Sequence, residues 1–211
     1  MKIINPSYEI LTPITGNELK NIEIASRTCY KSEDKITNDS AEKFVKMLIE
    51  RHHEAMLEHS SLSVKFICDR GVSHELVRHR LASFGQESTR YCNYTKDKFG
   101  NELTFIKPLF FEEDSGEYYH WEHAMMDCEF YYNELIKSGC TPQEARSVLP
   151  NSIKTEVVMT TNYREWRNFF KLRACRETGP AHPQMEELTV PLLKDLKVLI
   201  PVVFDDLVPA F

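Results

Sequence analysis

Residues 78–91 read RHRLASFGQESTRY and hold three arginines, a histidine, two serines and a threonine. From Arg70 to Arg90 the chain carries Arg70, Arg78, Arg80 and Arg90 against Glu75 and Glu87, with His74 and His79 able to take a further proton. A solvated face interleaves both signs of charge, because like charges three or four residues apart on a helix repel. Here cations gather inside a chain whose formal net charge is −6. One arginine alone reads as a surface ion pair, but the set reads as a binding site for something anionic. A guanidinium offers a planar fork of donors, which suits a phosphate or a nucleobase carbonyl.

Ser73 can cap a helix carrying residues 78–80, whose side chains would then point about 100° apart. Three such directions can bridge two ligands, or a ligand and a subunit contact, but cannot grip one phosphate together. Phe84-Gly85 breaks that helix, and an extended run then puts Ser88 and Arg90 on one side. A second cluster is RHHEAMLEH, residues 51–59. The zincin pattern needs a histidine four residues after His53, where Leu57 stands. Ligation by His53, Glu54, Glu58 and His59 from a loop stays open, beside the plainer reading of a polar connection. A third group is Arg146, Asn162, Arg164, Asn168 and Arg173. Asn162 can be a helix cap, and Arg173 lies about 16 Å further along that helix at about 1.5 Å per residue. Donors so far apart suit a long ligand. With seven glycines and neither GxGxxG nor GxxxxGK[ST], a dinucleotide would have to be held by side chains.

These residues need a scaffold, and 211 residues with 42% hydrophobic content can build one core. The acidic balance excludes a general nucleic-acid binder, which carries a basic face. No apolar stretch is long enough to span a bilayer. The six cysteines lack CxxC spacing and no signal peptide is evident, so free thiols in the cytoplasm are expected. Helices are predicted from Asn17 to Tyr30, from Asp39 or Ser40 through Ile49, from Tyr118 to Ser138 with Gly139 as C-cap, and from Asn162 to Arg173. A capping box, Thr141-Pro142-Gln143-Glu144, opens a short helix holding Arg146. Met185–Phe204 is helical in period but interrupted by Pro191 and Pro201. Alternation predicts strands at Leu62–Cys68, Leu103–Ile106 and Ile153–Met159. Strands outside a βαβ rhythm give an α+β class: a mixed or antiparallel sheet with packed helices, one domain over 1–211.

Arg78-His79-Arg80, seven residues, Ser88, one residue, Arg90 resembles the RHR-x7-S-x-R signature of the flavin-dependent thymidylate synthases. His53-Glu54 with Glu58-His59, Ala145-Arg146 with Val148-Leu149-Pro150, and Asn162, Asn168 and Leu172-Arg173 match at family spacing. The resemblance covers about residues 15–205. It implies methylation of dUMP to dTMP, with 5,10-methylenetetrahydrofolate as carbon donor and FAD, reduced by NADPH, as hydride carrier. It also implies a homotetramer with sites at subunit interfaces. By similarity Arg78, His79, Arg80, Leu81, Gln86, Asn162, Tyr163, Arg164 and Asn168 would hold FAD, and His53 would serve the folate or flavin side. Glu75, Arg78, Gln86, Glu87, Ser88, Thr89, Arg90, Arg146 and Arg173 would hold dUMP, with Arg173 as its activator. No metal belongs to this scheme. The sequence departs from the family in ACRETGPAHPQME after Arg173, where His182 is the candidate for the usual histidine. It departs again at Ala55, where many relatives have a hydroxyl residue, and at Glu75, where an amide is expected. The alternative is a metal-dependent nucleotide phosphohydrolase using His52, His53, Glu58 and His59.

Overall fold

The computed structural model describes residues 1–97 and 100–210; Lys98, Phe99 and Phe211, which the one-domain expectation covers, lie outside the described residues. The class is α+β. Residues cluster into two compact units: Met1–Ser7, Phe66–Arg78 and Gly85–Val157 form the first, and Tyr8–Lys65, His79–Phe84 and Val158–Phe211 the second. A four-stranded sheet runs in the order β2 (Ser7–Ile10), β3 (Ser61–Asp69), β6 (Lys154–Asn162), β4 (Ala82–Gln86).

In the first unit, β1 (Lys2–Ile4) pairs in parallel with β5 (Thr104–Ile106), Ile3 opposite Phe105. Phe105 also bridges Ile153 in antiparallel fashion, so the sheets are mixed. Helix α3 (Arg70–Leu76) starts at Asp69, whose carboxylate accepts from the Val72 N–H at 2.8 Å. Helix α4 (Gly116–Lys137) is capped by Ser115, and Gly139 just past its end adopts φ 91°, the left-handed conformation that glycine takes without strain. Its inner face supplies Met125 and Tyr132 to a core completed by Tyr94, Leu103, Phe105, Ala145 and Ile153. The capping box forms as expected at Thr141 and Glu144, opening α5 (Pro142–Ala145).

In the second unit, α1 (Asn17–Thr28), α2 (Ser40–Glu50), α6 (Tyr163–Arg173) and α7 (Pro183–Leu199) surround an apolar centre. The Trp166, Phe169, Phe170 and Phe204 side chains are fully buried, and Trp166 stacks on Phe170 with ring centroids 5.6 Å apart. The indole N–H donates to the Leu62 carbonyl at 3.0 Å, which anchors α6 to β3. Three expectations are corrected here. Asn17 is the first residue of α1 rather than its cap, a place taken by Gly16 at φ 82°. Asp39 holds the N-cap position of α2, but its side chain accepts from the Thr37 hydroxyl instead of a helix N–H, and the Ser40 hydroxyl donates to Glu23. Helix α7 continues through Pro191, which removes one backbone donor yet leaves the helix whole, because its apolar face is buried along its length.

Candidate active site

Helix α3 ends at Leu76, so residues 78–80 do not lie on it, and the fan of three helical directions is withdrawn. Asp69 caps the helix four residues before Ser73, and the helix runs out two residues before the signature. Arg78 and Arg80 are exposed and His79 between them is buried. Neither arginine has an ion-pair partner among the described residues. Phe84-Gly85 lies inside β4 and breaks nothing. Ser88 does not continue as an extended strand: its carbonyl accepts from the N–H groups of Tyr91 and Cys92 at 3.1 and 2.9 Å, closing a turn. The Ser88 hydroxyl accepts from the Arg90 N–H at 3.3 Å. The pairing of Ser88 with Arg90 therefore comes from a turn and not from strand alternation.

Within the first unit this turn stands beside Arg146, whose Nη1 is 3.5 Å from the hydroxyl of buried Thr89. The exposed Arg90 guanidinium lies 5.5 Å from the Tyr91 ring centre. Gln86 and Glu87 make internal contacts. Gln86 donates to the hydroxyls of Ser73 and Thr155, and Glu87 accepts from Lys154 and from the Tyr94 hydroxyl, each at 2.9 Å. Burial pushes the Lys154 ammonium toward neutrality, but Glu156 and Glu87 outweigh it and hold the lysine charged to higher pH. Glu75 takes the Arg78 N–H on its backbone carbonyl at 3.2 Å.

The second unit holds the other set. Asn162 caps α6, accepting from the Glu165 N–H at 2.9 Å, and the Thr161 hydroxyl donates to the Leu81 carbonyl at 2.6 Å, tying the end of the RHRL segment to β6. Leu81, Asn162, Arg164 and Asn168 line one cavity of about 500 Å³, together with Lys171 and three carboxylates, Glu54, Glu58 and Glu165. Each carboxylate already has a partner: Glu54 pairs with Arg167 at 3.2 Å, Glu58 with Arg164 at 2.6 Å, and Glu165 with His79 and Asn168 at 3.2 Å. Tyr163, expected beside the cofactor, is fully buried instead, with its ring against Phe204.

His79 is 6% exposed. Its Nδ1 lies 3.2 Å from Glu165, its Nε2 accepts from the Arg173 Nε–H at 3.2 Å, and its ring packs edge-on against Phe169. Burial and the Arg173 charge hold the imidazole neutral to lower pH than usual, against the opposing pull of Glu165. His53 lines a different cavity of the same unit, about 700 Å³, with Arg27, Lys35 and Arg51 around an apolar floor of Phe44, Met47 and Leu48 and no carboxylate in the lining. Sequence reading missed these three cations, Lys171 and Glu165. Arg27 hides as an (i, i+4) partner of Glu23, and only Arg51, adjoining His52-His53, carried a signal. His182 caps α7, its Nδ1 accepting from the Gln184 N–H at 3.3 Å. Among the described residues no group of three or more His, Cys, Asp or Glu is arranged to hold a metal ion. His52, His53, Glu58 and His59 therefore do not form the centre that the phosphohydrolase alternative needs.

Fold and linings define an α+β protein with one cleft lined by amides, Arg164, Lys171 and three partnered carboxylates and another lined by Arg27, Lys35, Arg51 and His53. The family model described as thymidylate synthase complementing protein matches residues 11–202. The flavin-dependent thymidylate synthase of Pyrococcus furiosus is 32% identical over 193 residues, covering 88% of this chain and 77% of that one. That of Corynebacterium glutamicum is 32% identical over 213 residues, covering 92% and 81%. The UMP/dUMP methylase PolB of Streptomyces cacaoi, solved with 5-Br dUMP, superposes with a TM-score of 0.78 over 97% of this chain and 96% of its own, at 23% identity, a likeness that speaks to fold alone. The chain belongs to the thymidylate synthase complementing protein family.

Proposed function

We infer that this chain catalyses the reductive methylation of dUMP to dTMP, with 5,10-methylenetetrahydrofolate giving the carbon. The observation that carries this reading is the meeting of Leu81, Asn162, Arg164 and Asn168, each assigned to FAD by resemblance, on one cavity. At about 500 Å³ it is in the range of small-molecule pockets, roughly 300–1,000 Å³. Its donor set suits FAD. Lys171 has no ion-pair partner among the described residues, the Asn168 amide donates, and Arg164 can exchange exposed Glu58 for a phosphate oxygen. When bound and reduced by NADPH, FAD supplies the hydride. His53 and the cations of the second cavity serve the folate or flavin side.

The chain's own residues divide the remaining work. Ser88, Thr89, Arg90 and Arg146 hold the nucleotide, the arginines meeting its phosphate. Arg173 is the activator, its guanidinium stabilising the enolate-like charge that develops as C5 of the pyrimidine becomes nucleophilic. Arg78 and Arg80 reach the cofactor, and Glu75, Gln86 and Glu87 position the nucleotide-binding turn. By the family resemblance these sites are completed by other copies in a homotetramer. Residues 1–211 act as one catalytic domain, a reading the family match over 11–202 favours.

The test is a dUMP titration followed by the flavin absorbance of the purified protein. Arg90→Ala should weaken dUMP binding by roughly 2–4 kcal/mol, the cost of removing one partner from a desolvated charge pair, with FAD content retained. Loss of FAD with dUMP affinity intact would refute the assignment.

A further inference from the structure

His79 stands in the signature as a candidate cofactor ligand, yet its imidazole is buried and both ring nitrogens are engaged within the second unit. Arginine has only donors, so the Arg173 Nε–H requires a lone pair on His79 Nε2. The ring proton is thereby placed on Nδ1, where it is donated to Glu165 Oε1 at 3.2 Å. Glu165 is itself fixed: its N–H is held by the Asn162 cap and its carboxylate accepts from Asn168 at 3.2 and 3.3 Å. The carboxylate therefore selects the tautomer, as a second partner does for any histidine whose other nitrogen has a task.

Glu165, Phe169 and Arg173 recur every four residues on α6 and form one stripe, spanning about 12 Å at about 1.5 Å per residue. Helical side chains lean toward the N-terminus, so the Arg173 side chain reaches back along this stripe over Phe169 to meet the imidazole. The Arg173 carbonyl is also anchored, accepting from the hydroxyl of fully buried Thr189 at 2.6 Å.

We propose that His79 is a positioning residue for Arg173: as the Nδ1–H tautomer set by Glu165, it holds the Arg173 Nε–H on Nε2 and so fixes the axis on which the guanidinium's Nη1 and Nη2 sit. The proposal rests on the reading of Arg173 as the group that meets the pyrimidine. A guanidinium that rotated freely would have to be ordered in each turnover, whereas one already oriented stabilises developing charge without reorganisation. Among the described residues the charged groups acting on the imidazole are Glu165 and Arg173, both from α6. A second proton on His79 turns Nε2 into a donor, breaks the contact with Arg173 and sets cation against cation. The device therefore works while the imidazole is neutral and fails as pH falls through the His79 pKa in the fold, which burial holds below the ordinary histidine value.

Three variants and one titration test this. His79→Leu removes both contacts and should lower kcat for dTMP formation about a hundredfold, the scale of a misplaced electrostatic group, with FAD content and the KM for dUMP little changed. His79→Gln keeps an acceptor for Arg173 and a donor for Glu165, and should recover to within about tenfold of the wild type and remove the acid limb of the pH–kcat profile. NMR titration of the His79 ring in the ligand-free protein needs no turnover. Arg173→Leu should raise the pKa of His79, because it removes a neighbouring positive charge. Loss of FAD in step with activity in His79→Leu, failure of His79→Gln to exceed His79→Leu, or an unmoved His79 titration in Arg173→Leu would each overturn the proposal. A wild type that makes no dTMP would instead strike the proposed function, and the NMR titration would still decide whether the contact exists.

Discussion

Replacing Arg167 by methionine keeps apolar volume and removes a buried charge that holds Glu54 in the lining of the Asn162 cavity. Arg167 is 1% exposed. Its Nη1 donates to the Val203 carbonyl and to Asp206, both at 2.6 Å, and its Nη2 to Asp206 at 2.7 Å and Glu54 at 3.2 Å. The Val203 carbonyl belongs to a fully buried residue and has to lose its donor, at about 1–3 kcal/mol. Asp206 and Glu54 have side chains 49% and 21% exposed, so water recovers much of their loss and they add about 1 kcal/mol together. The sum is about 2–4 kcal/mol, which for a chain of this length lowers Tm by roughly 5–15 °C. Burial raises the Asp206 pKa, but the hydrogen bonds and charge of Arg167 more than offset it and hold the carboxyl below its ordinary range. The unfolded chain then binds more protons than the native one near pH 4, so this pair's stabilisation is present above about pH 3.9 and is lost as pH falls through the lower folded value. Urea unfolding at pH 7 and across the acid range should show a lower midpoint at neutral pH and a shallower acid loss in the variant. FAD retention should also drop, because Glu54 is left unneutralised in the cavity lining. A variant within 1 kcal/mol of the wild type, with its acid limb unchanged, would refute the reasoning.

Asn162 is both a cap and a cavity-lining residue. Asn162→Ala should cost about 1 kcal/mol in denaturant unfolding, while Asn162→Asp should keep the cap and lower FAD retention by placing a charge in the cavity. Cys92→Ala and Cys175→Ala, singly and together, should keep dTMP formation within about tenfold, on the order of 1.4 kcal/mol in the barrier. Burial pushes the Cys175 thiol up, away from the thiolate that a nucleophile needs, and loss of several orders of magnitude in either variant would reinstate a cysteine mechanism. Sedimentation without ligand should give a species near four times 24.7 kDa, and an active monomer would remove the interface argument.

Local rules recovered what local chemistry decides. Strand β6 alternates strictly and β3 does so as far as Cys68, Gly139 takes a positive φ, and Thr141-Glu144 and Asn162 cap the helices they precede. The failures came where two local signals competed. Asp69, not Ser73, caps α3, and the helix ends at Leu76, before Arg78–Arg80. Phe84-Gly85 looked like a breaker because glycine weakens helix and strand alike, and the pleat of β4 absorbed it. Pro191 looked like a stop, but burial of α7 outweighed one missing backbone bond. The contacts of His79 with Glu165 and Arg173 join residues 86 and 94 apart, and no spacing rule spans such distances. Signature residues could be recognised in the chain, whereas the contacts of His79 with Glu165 and Arg173 needed the fold to bring them together.

The most direct test of the central claim is formation of dTMP from dUMP by the purified FAD-loaded protein with 5,10-methylenetetrahydrofolate and NADPH, the product resolved by chromatography. dTMP should form in proportion to NADPH consumed, with at least about a hundredfold loss of rate in Arg173→Ala while FAD content holds. Flavin-loaded protein that binds dUMP and oxidises NADPH but forms no dTMP would contradict it.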